Sequence, residues 1–263
     1  MAHATIALLT DFGTADHYAG ALKGVLLSLC PEATLVDITH EVPPHDVLTA
    51  ALELAACYRY FPAGTIFLVV VDPGVGSARR GLVADTGDYR FVAPDNGVLS
   101  LVFHDTRPRK VVDLTERRYA RPTVSKTFEG RDRFAPAAGW LAKGIELTAM
   151  GRPVAQWHVL EVPEPEVGAK RLTGQVLRVD RFGNLVTNID RRRFELFRQD
   201  AGIQIAIDGR AVDRLVATYA EAPAGEVCAL FGGTDHLEVA LNGGSAAQSL
   251  GLGRGAGVRI DRN

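Results

Sequence analysis

The chain has 263 residues, of which 47% are hydrophobic and 23% charged, and its formal net charge is −2. This length accommodates one large domain or two modest ones, and the composition is that of a globular protein with a real core. The charge balance provides no basic surface for nucleic acid, and no apolar run approaches the ~18 residues of a membrane span. We therefore expect neither nucleic acid nor a membrane as a partner.

Strand and helix signals alternate along residues 1–160, which predicts an α/β N-terminal domain. Strands rich in β-branched residues that alternate with helices favour a mostly parallel sheet covered on both faces. Asp46 is a plausible N-cap for the second helix, and Gly144 ends the last one. The predicted strands are 5–10, 33–39, 65–71, 81–86, 90–94 and 110–114, and the predicted helices are 17–30, 46–61 and 131–144, with 97–103 as a further helix start.

The composition and the pattern of the sequence change after this domain. Residues 161–170 are rich in acidic residues and proline, which is typical of a linker. In residues 171–263, short strand-like runs are divided by turn signals such as RFGN, DGR and NGG. This pattern predicts a smaller, β-barrel-like C-terminal domain, with a sandwich as the alternative.

The N-terminus and the cysteines indicate a compartment. The first residues, MAHATIALLTDFG, lack a basic start followed by a cleavable apolar stretch, so we expect no signal peptide. Cys30, Cys57 and Cys228 are widely spaced and odd in number, which matches neither a metal site nor a disulfide framework. We therefore expect buried thiols in a reducing cytoplasm, and no bound metal.

Two carboxylates follow predicted strands directly. Asp11 comes after IALLT, and Asp72 comes after FLVVV. Ligands of open α/β sheets bind outside the carboxyl ends of strands, so both carboxylates would face one crevice. A carboxylate there can accept hydrogen bonds from both hydroxyls of a ribose. The alternative is turn chemistry, since aspartate before glycine or proline is common in turns.

Three further segments carry candidate side chains. In TFEGRD, we predict a tight turn that places Glu129 beside an aromatic ring. Asp132 is predicted to cap the helix that follows. In VDRFGNLVTN, Phe182 and Asn184 would form either a platform for a base or a plain hairpin. The turn at Asn242 offers backbone amides, although such a turn is more often structural.

Taken in order along the chain, these motifs resemble one family. LLTDFGTADHYAGALKGVL, DITHEVPPHDV, VVDPGVGSARR, APDNGVLS, TFEGRDRFAP, RFGNLVTNI and LEVALNGG span nearly the whole sequence. The chain resembles the S-adenosyl-L-methionine (SAM) hydroxide adenosyltransferases, which are related to fluorinating and chlorinating enzymes. The resemblance implies an N-terminal α/β domain with the catalytic loops, and a C-terminal domain that completes the site. It also implies a homotrimer with each site between subunits.

The resemblance assigns roles to individual residues. Substrate would be held by the ribose-binding Asp11, by Asp16 and Asp180 at the methionine group, and by Phe182, Asn184, Asn242 and Gly243 around adenine. Asp72 and Arg79 match two members of a water-activating set whose third member is usually the histidine of TFHGRD. This chain has Glu129 at that position. It also reads GGTDHLEVA where relatives often read NSFGYLEIA.

The implied reaction is SAM plus water giving adenosine and L-methionine, with SAM as the substrate and no cofactor. Methionine leaves the sulfonium as a neutral group, so the missing component is a nucleophile. Asp72 would accept a proton from an ordered water, and Arg79 would stabilise the developing charge. The alternatives are a SAM-dependent halogenase, which a carboxylate at the nucleophile position disfavours, and a non-catalytic protein that binds SAM or adenosine.

Overall fold

The computed structural model describes residues 3–199 and 201–262. The chain divides into two compact units, Met1–Glu161 and Val162–Asn263, here called the N-terminal and C-terminal units. Over the described residues, none of the helices has both the length and the apolar character needed to cross a membrane.

The N-terminal unit is built on a seven-stranded sheet with the order β2-β1-β3-β5-β4-β6-β7. Its strands are β1 Thr5–Thr10, β2 Thr34–Thr39, β3 Ile66–Val70, β4 Gly81–Asp85, β5 Arg90–Pro94, β6 Lys110–Leu114 and β7 Gly151–Pro153. Its helices are α1 Tyr18–Leu29, α2 Val47–Cys57, α3 Ser100–Asp105 and α4 Ala135–Ala142.

Helices cover both faces of this sheet, because successive side chains of its central strands point to opposite faces and both sets are apolar. Ile6 and Leu8 of β1 pack in one core cluster with residues of α1 and α4. Ala7 and Leu9 pack in a second cluster with residues of α2 and α3. Both sets are fully buried, because successive side chains of a strand point to opposite faces. The apolar runs without alternation are therefore explained by burial on both sides.

The prediction of a mostly parallel sheet holds for only half of it. β2, β1, β3 and β5 pair in parallel. β4 pairs antiparallel with β5 and β6, and β6 pairs antiparallel with β7. The connection between β4 and β5 spans residues 86–89, which is too short for the crossover that parallel pairing needs. The sheet is therefore mixed.

Helix boundaries in this unit follow local signals. The side chain of Asp46 accepts a hydrogen bond from the backbone of Thr49 at 3.0 Å, so the predicted N-cap is confirmed. α4 is preceded by a π-helical turn, Gly130–Phe134, and has a proline in its first turn. Gly144 follows its end with φ of +86°, a conformation that glycine adopts without strain.

The C-terminal unit contains an eight-stranded, barrel-like sheet with antiparallel pairing. Along its main path the order is β12-β11-β15-β9-β10-β14-β13, and β8 pairs with β9. Its strands are β8 Glu166–Val167, β9 Arg171–Val179, β10 Leu185–Asp190, β11 Ile203–Ile207, β12 Arg210–Val212, β13 Val227–Phe231, β14 His236–Leu241 and β15 Gly257–Arg262. β8 lies inside the segment that the sequence presents as a linker.

Two helices of this unit were not predicted, α5 Arg191–Arg198 and α6 Ala246–Leu250. α5 begins at Asp190, whose side chain accepts from the backbone of Arg193 at 2.8 Å. Phe194 and Phe197 pack into the core of the unit. Two phenylalanines three residues apart, in a segment that follows an aspartate, indicate a helix. The segment RRRFELFR is mostly charged, however, so its apolar periodicity is weak.

Candidate active site

Asp11 and Asp72 lie at the same edge of the N-terminal sheet. β1 and β3 are neighbouring parallel strands, with Thr10 opposite Val70. Asp11 directly follows β1 and Asp72 follows the end of β3 after Val71, so both carboxylates emerge where ligands of α/β sheets bind. One oxygen of Asp11 accepts from the backbone N–H of His45 at 2.8 Å.

Beside this edge, two carboxylates and two guanidinium groups form what we call the acid–arginine cluster: Asp72, Arg79, Glu129 and Arg133. Arg79 donates to Asp72 through Nε at 2.8 Å and through Nη2 at 2.5 Å. The same Nη2 donates to Glu129 Oε2 at 2.5 Å. Arg133 Nη1 donates to that Glu129 oxygen at 3.0 Å. Arg79 thus bridges the two carboxylates.

The side chains at the centre of the cluster are buried from solvent. The side chains of Asp72, Arg79 and Glu129 are 6%, 9% and 9% exposed. Burial opposes the charge of Arg79, but its hydrogen bonds with Asp72 and Glu129 outweigh burial and raise its pKa. Its guanidinium also lies 5.1 Å from the centre of the Phe134 ring. These contacts hold Arg79 charged and in one orientation.

Two tight turns bring these side chains together. The loop after β3 folds back so that Arg79 returns to Asp72, with Gly76 at φ of +77° packed against the backbone carbonyl of Lys126. The π-helical turn places Gly130 against Val70, where a larger residue would press on the strand. Glu129 is thereby held at the end of β3.

These contacts decide between the readings of the TFEGRD segment. Glu129 is buried and accepts from Arg79, so it is not a surface residue of the turn. The capping role of Asp132 is wrong, because its Oδ2 accepts from the backbone of Ser125 at 2.9 Å and ties the preceding loop. Arg133 was missed by the sequence reading, although its spacing of four residues from Glu129 matches a helical ion pair.

A second arginine–aspartate pair lies next to the cluster. Arg80 donates through Nε to Asp95 at 2.8 Å, and the other oxygen of Asp95 accepts from the backbone of His158 at 2.8 Å. Asn96 donates to the backbone carbonyl of Val71 at 2.8 Å and so braces the strand end before Asp72. This pair anchors loops within the N-terminal unit.

The remaining predicted residue of this unit, Asp16, is exposed in the loop between β1 and α1. This loop is tied to the TFEGRD segment through aromatic rings, since Phe12 meets Phe128 edge-on at 5.8 Å between ring centres. The structure therefore brings Asp72, Arg79 and Glu129 into direct contact and places Asp11 at the same sheet edge.

In the C-terminal unit, the RFGN segment is the hairpin turn between β9 and β10, so the hairpin reading is confirmed. Asp180 Oδ1 accepts from the backbones of Phe182 and Asn184, each at 2.9 Å. Its Oδ2 accepts from the side-chain amide of Asn184 at 2.9 Å. Asn184 is buried, whereas Phe182 is 77% exposed at the tip. The hairpin presents an aromatic face beside a fixed amide.

The turn at Asn242 lies against this hairpin. The backbone N–H of Ala247 donates to the carbonyl of Gly183 at 3.0 Å, and Ser245 packs where a side chain at Gly183 would stand. Asn242 uses its amide to hold the carbonyl of Ala222 at 2.6 Å. Gly243 is exposed with φ of +81°. The segment that follows the Asn242 turn therefore packs against the hairpin that carries Phe182 and Asn184.

Known proteins match this chain along most of its length. The profile of the SAM hydroxide adenosyltransferase N-terminal domain matches residues 6–151, and that of the C-terminal domain matches residues 174–259. A protein of Thermus thermophilus named (R)-S-adenosyl-L-methionine hydrolase is 38% identical over 260 residues, which cover 96% of this chain and 97% of the relative. One of the same name from Salinispora tropica is 38% identical, covering 97% of each chain.

A more distant relative and a solved structure complete the comparison. A protein of Nocardia brasiliensis named fluorinase is 29% identical, covering 97% of this chain and 96% of its own. The crystal structure of an uncharacterized conserved protein from Thermotoga maritima superposes with a TM-score of 0.90 at 35% identity, covering 98% of this chain and all of the other. Both units therefore have counterparts in known proteins.

Proposed function

Because the chain belongs to the SAM hydroxide adenosyltransferase family, we propose that it hydrolyses S-adenosyl-L-methionine to adenosine and L-methionine. The observation that carries this proposal is the buried contact between Asp72 and Arg79 beside a strand end. Relatives named hydrolase are 34–38% identical, while those named fluorinase are 27–29% identical. The identity pattern thus favours water over halide as the nucleophile.

The chemistry requires a base and little else. A water oxygen attacks the ribose C5′, the C5′–S bond breaks with its electrons left on sulfur, and methionine leaves as a neutral thioether. The water proton passes to Asp72 and then to solvent. Each oxygen of Asp72 accepts from Arg79 and retains lone pairs for a water. General-base assistance of this kind contributes about 10²–10⁴-fold.

Arg79 and Glu129 support that base. Arg79 grips Asp72 with two parallel N–H groups, a geometry that fixes the carboxylate plane. Glu129 takes the place of the family histidine and accepts from the same Nη2 that donates to Asp72. Since water is largely excluded, charges fixed before the reaction stabilise the developing hydroxide more strongly than they would in solvent. Glu129 therefore acts on Arg79 and not on the water.

The other roles extend the same proposal. Asp11 binds the ribose diol, Asp16 and Asp180 bind the methionine group, and the adenine pocket comprises Phe182, Asn184, Asn242 and Gly243. The N-terminal domain would supply the catalytic loops and the C-terminal domain the adenine and methionine side. We further propose a cytoplasmic homotrimer with each site between subunits, which needs neither a cofactor nor a metal.

The two alternatives make different products. A halogenase would convert SAM and chloride into a 5′-chloro nucleoside, but a halide beside Asp72 and Glu129 would face two carboxylates in a dry site. A non-catalytic binding protein would leave SAM intact. The replacement of the family histidine by Glu129 is the feature that favours this second alternative.

The test is incubation of the purified protein with SAM in water enriched in ¹⁸O, with and without chloride. Chromatography with mass detection should find adenosine labelled at one oxygen, together with equimolar L-methionine, in both conditions. Unlabelled adenosine would place the oxygen source elsewhere. A 5′-chloro product would support the halogenase, and unchanged SAM with measurable binding would support the non-catalytic protein.

A further inference from the structure

A hydrogen-bonded chain in the C-terminal unit continues beyond the predicted adenine-side residues. Asn184 Nδ2, which already donates to Asp180, also lies 3.4 Å from the hydroxyl of Tyr219. That hydroxyl donates to Glu238 Oε2 at 3.0 Å. We call these four residues the amide network: Asp180, Asn184, Tyr219 and Glu238. Neither Tyr219 nor Glu238 has a role in the proposed reaction so far.

The chemistry of the partners fixes how the Asn184 amide is turned. An ionised carboxylate only accepts, so Asp180 requires the NH₂ group of Asn184 and excludes its oxygen. Glu238 draws the hydroxyl hydrogen of Tyr219 to itself, which leaves a tyrosine lone pair for the second N–H of Asn184. Both hydrogens of Asn184 are thereby used, and Oδ1 is turned away from the network.

Oδ1 of Asn184 is the group that this arrangement leaves for a ligand. It has no hydrogen-bond partner among residues 3–199 and 201–262. Over the same residues, Thr234 Oγ1 alone is a fully buried side-chain polar atom without a partner, so Asn184 Oδ1 is not fully buried. The adjoining turn tip carries Phe182 and lies against the Ser245 turn. A hydrogen-bond acceptor therefore lies in the same turn as an exposed aromatic side chain, two residues away.

The far end of the network is buried within the sheet. Glu238 lies in β14 between β10 and β13, opposite Val186 and Leu230, and is 5% exposed. Gly232 packs so closely on its carboxylate that any side chain there would collide with it. Burial raises the pKa of Glu238, although the hydrogen bond from Tyr219 opposes this.

Tyr219 links this buried end to the hairpin. It begins a short 3₁₀ turn, Tyr219–Glu221, whose N-cap Thr218 accepts from the backbone of Ala220. Burial, together with the neighbouring Glu238 carboxylate, raises the pKa of Tyr219 to about 12. The phenol therefore keeps its proton and remains a donor to Glu238 at neutral pH.

We propose that Tyr219 and Glu238 are positioning residues that hold the Asn184 carboxamide with its oxygen outward, and so select a 6-aminopurine over a 6-oxopurine. The amino group of adenine donates to an outward oxygen, whereas the oxygen of hypoxanthine is itself an acceptor and would be repelled. A site built to pair with one polar group rejects an analogue that cannot pair. This inference rests on the proposed function, because it takes an adenosyl group as the ligand.

The experiment measures adenosine and inosine binding by calorimetry, with SAM hydrolysis followed in parallel. The unmodified chain should bind adenosine at least about tenfold more tightly than inosine. Tyr219→Phe keeps the ring and removes one hydrogen bond, so this ratio should fall about three- to tenfold. Glu238→Gln should lower it too, because the glutamine amide can donate to Tyr219 and reverse the hydrogen-bond direction. Tyr60→Phe, at an 83% exposed tyrosine of the N-terminal unit, is the matched control.

The ratio separates positioning from general damage. A variant that merely destabilises the fold lowers the affinity for adenosine and for inosine equally. An equal loss of the two affinities in Tyr219→Phe would overturn the inference. Equal affinities in the unmodified chain would overturn it as well. If the unmodified chain prefers adenosine and Tyr219→Phe loses that preference while SAM stays intact, the proposed hydrolysis fails and the inference stands.

Discussion

The acid–arginine cluster and the amide network are built alike and differ in one component. Each contains two carboxylates joined by a bridging group. In the N-terminal unit the bridge is a cation, Arg79, between Asp72 and Glu129. In the C-terminal unit the bridge is neutral, Asn184 with Tyr219, between Asp180 and Glu238. A cationic bridge holds both carboxylates in place through charge-assisted hydrogen bonds, which suits a positioned base, whereas a neutral bridge sets the direction of hydrogen bonds, which suits recognition.

The largest effect should come from removing the carboxylate assigned to water. Asp72→Ala should lower SAM turnover about 10²–10⁴-fold, because it removes the base. Adenosine affinity should stay nearly unchanged, since Asp72 is assigned to water and not to the nucleoside. Product chromatography and calorimetry with adenosine measure the two quantities.

The neighbouring pair provides the control. Asp95→Ala also strips a carboxylate from an arginine, Arg80, but leaves the acid–arginine cluster intact. Most of the turnover should survive in that variant. If adenosine affinity of Asp72→Ala fell as far as its turnover, Asp72 would belong with the recognition residues and the comparison between the two regions would fail.

A second effect should appear in binding alone. Asp11→Asn retains an oxygen for the backbone of His45 but loses charge-assisted acceptance from two ribose hydroxyls. Hydrogen bonds to charged groups contribute about 1.5–3 kcal/mol, against about 1 for neutral ones, so adenosine affinity should fall about tenfold or more. Affinity for free methionine should hardly change. An equal loss for 2′-deoxyadenosine and adenosine would contradict a role in diol binding.

Sequence reasoning reached the local features of both regions more reliably than the contacts across them. The Asp46 cap, the RFGN hairpin and the placement of Asp11 and Asp72 at strand ends follow from short-range patterns. The antiparallel half of the first sheet was missed even though residues 86–89 form a turn too short for a crossover. The contact of Tyr219 with Asn184 spans 35 residues and depends on sheet pairing, which single residues do not encode.

A smaller effect should follow from unbalancing the charges of the acid–arginine cluster. With Arg133 present, two guanidinium groups face two carboxylates. Arg133→Met keeps the apolar stem but leaves one positive charge against two negative ones, which favours proton binding by one carboxyl. Turnover near neutral pH should fall about three- to tenfold, and the acidic limb of the pH–rate profile should move to higher pH.

Glu129→Gln in the same chain tests this explanation. It restores the balance of one guanidinium to one carboxylate, so the double variant should recover part of the turnover and the original acidic limb. This is a double-mutant cycle on residues in direct contact, where coupling is expected. Strict additivity of the two substitutions would show that charge balance does not control the base.

The smallest effect concerns stability, and its sign distinguishes the two regions. Burial raises the pKa of Glu238, so above about pH 4.3 the unfolded chain releases a proton that the folded chain still holds. Stability should therefore fall as pH rises through that window, with a slope of at most about 1.4 kcal/mol per pH unit. Glu238→Gln should remove this slope. The urea midpoint of the variant should therefore increase, relative to that of the unmodified chain, as the pH rises.

Asp132, beside the acid–arginine cluster, provides the opposite sign. The hydrogen bond from Arg131 outweighs burial and lowers the pKa of Asp132, so its contribution is complete above about pH 4 and disappears as pH falls below that value. Asp132→Asn should therefore be less stable than the unmodified chain at neutral pH and approach it under acid conditions. Urea titrations from pH 3 to 7 on the three chains would show the two trends. If both substitutions changed stability in the same direction with pH, the contrast between charged and neutral bridging would not extend to the carboxylates around each site.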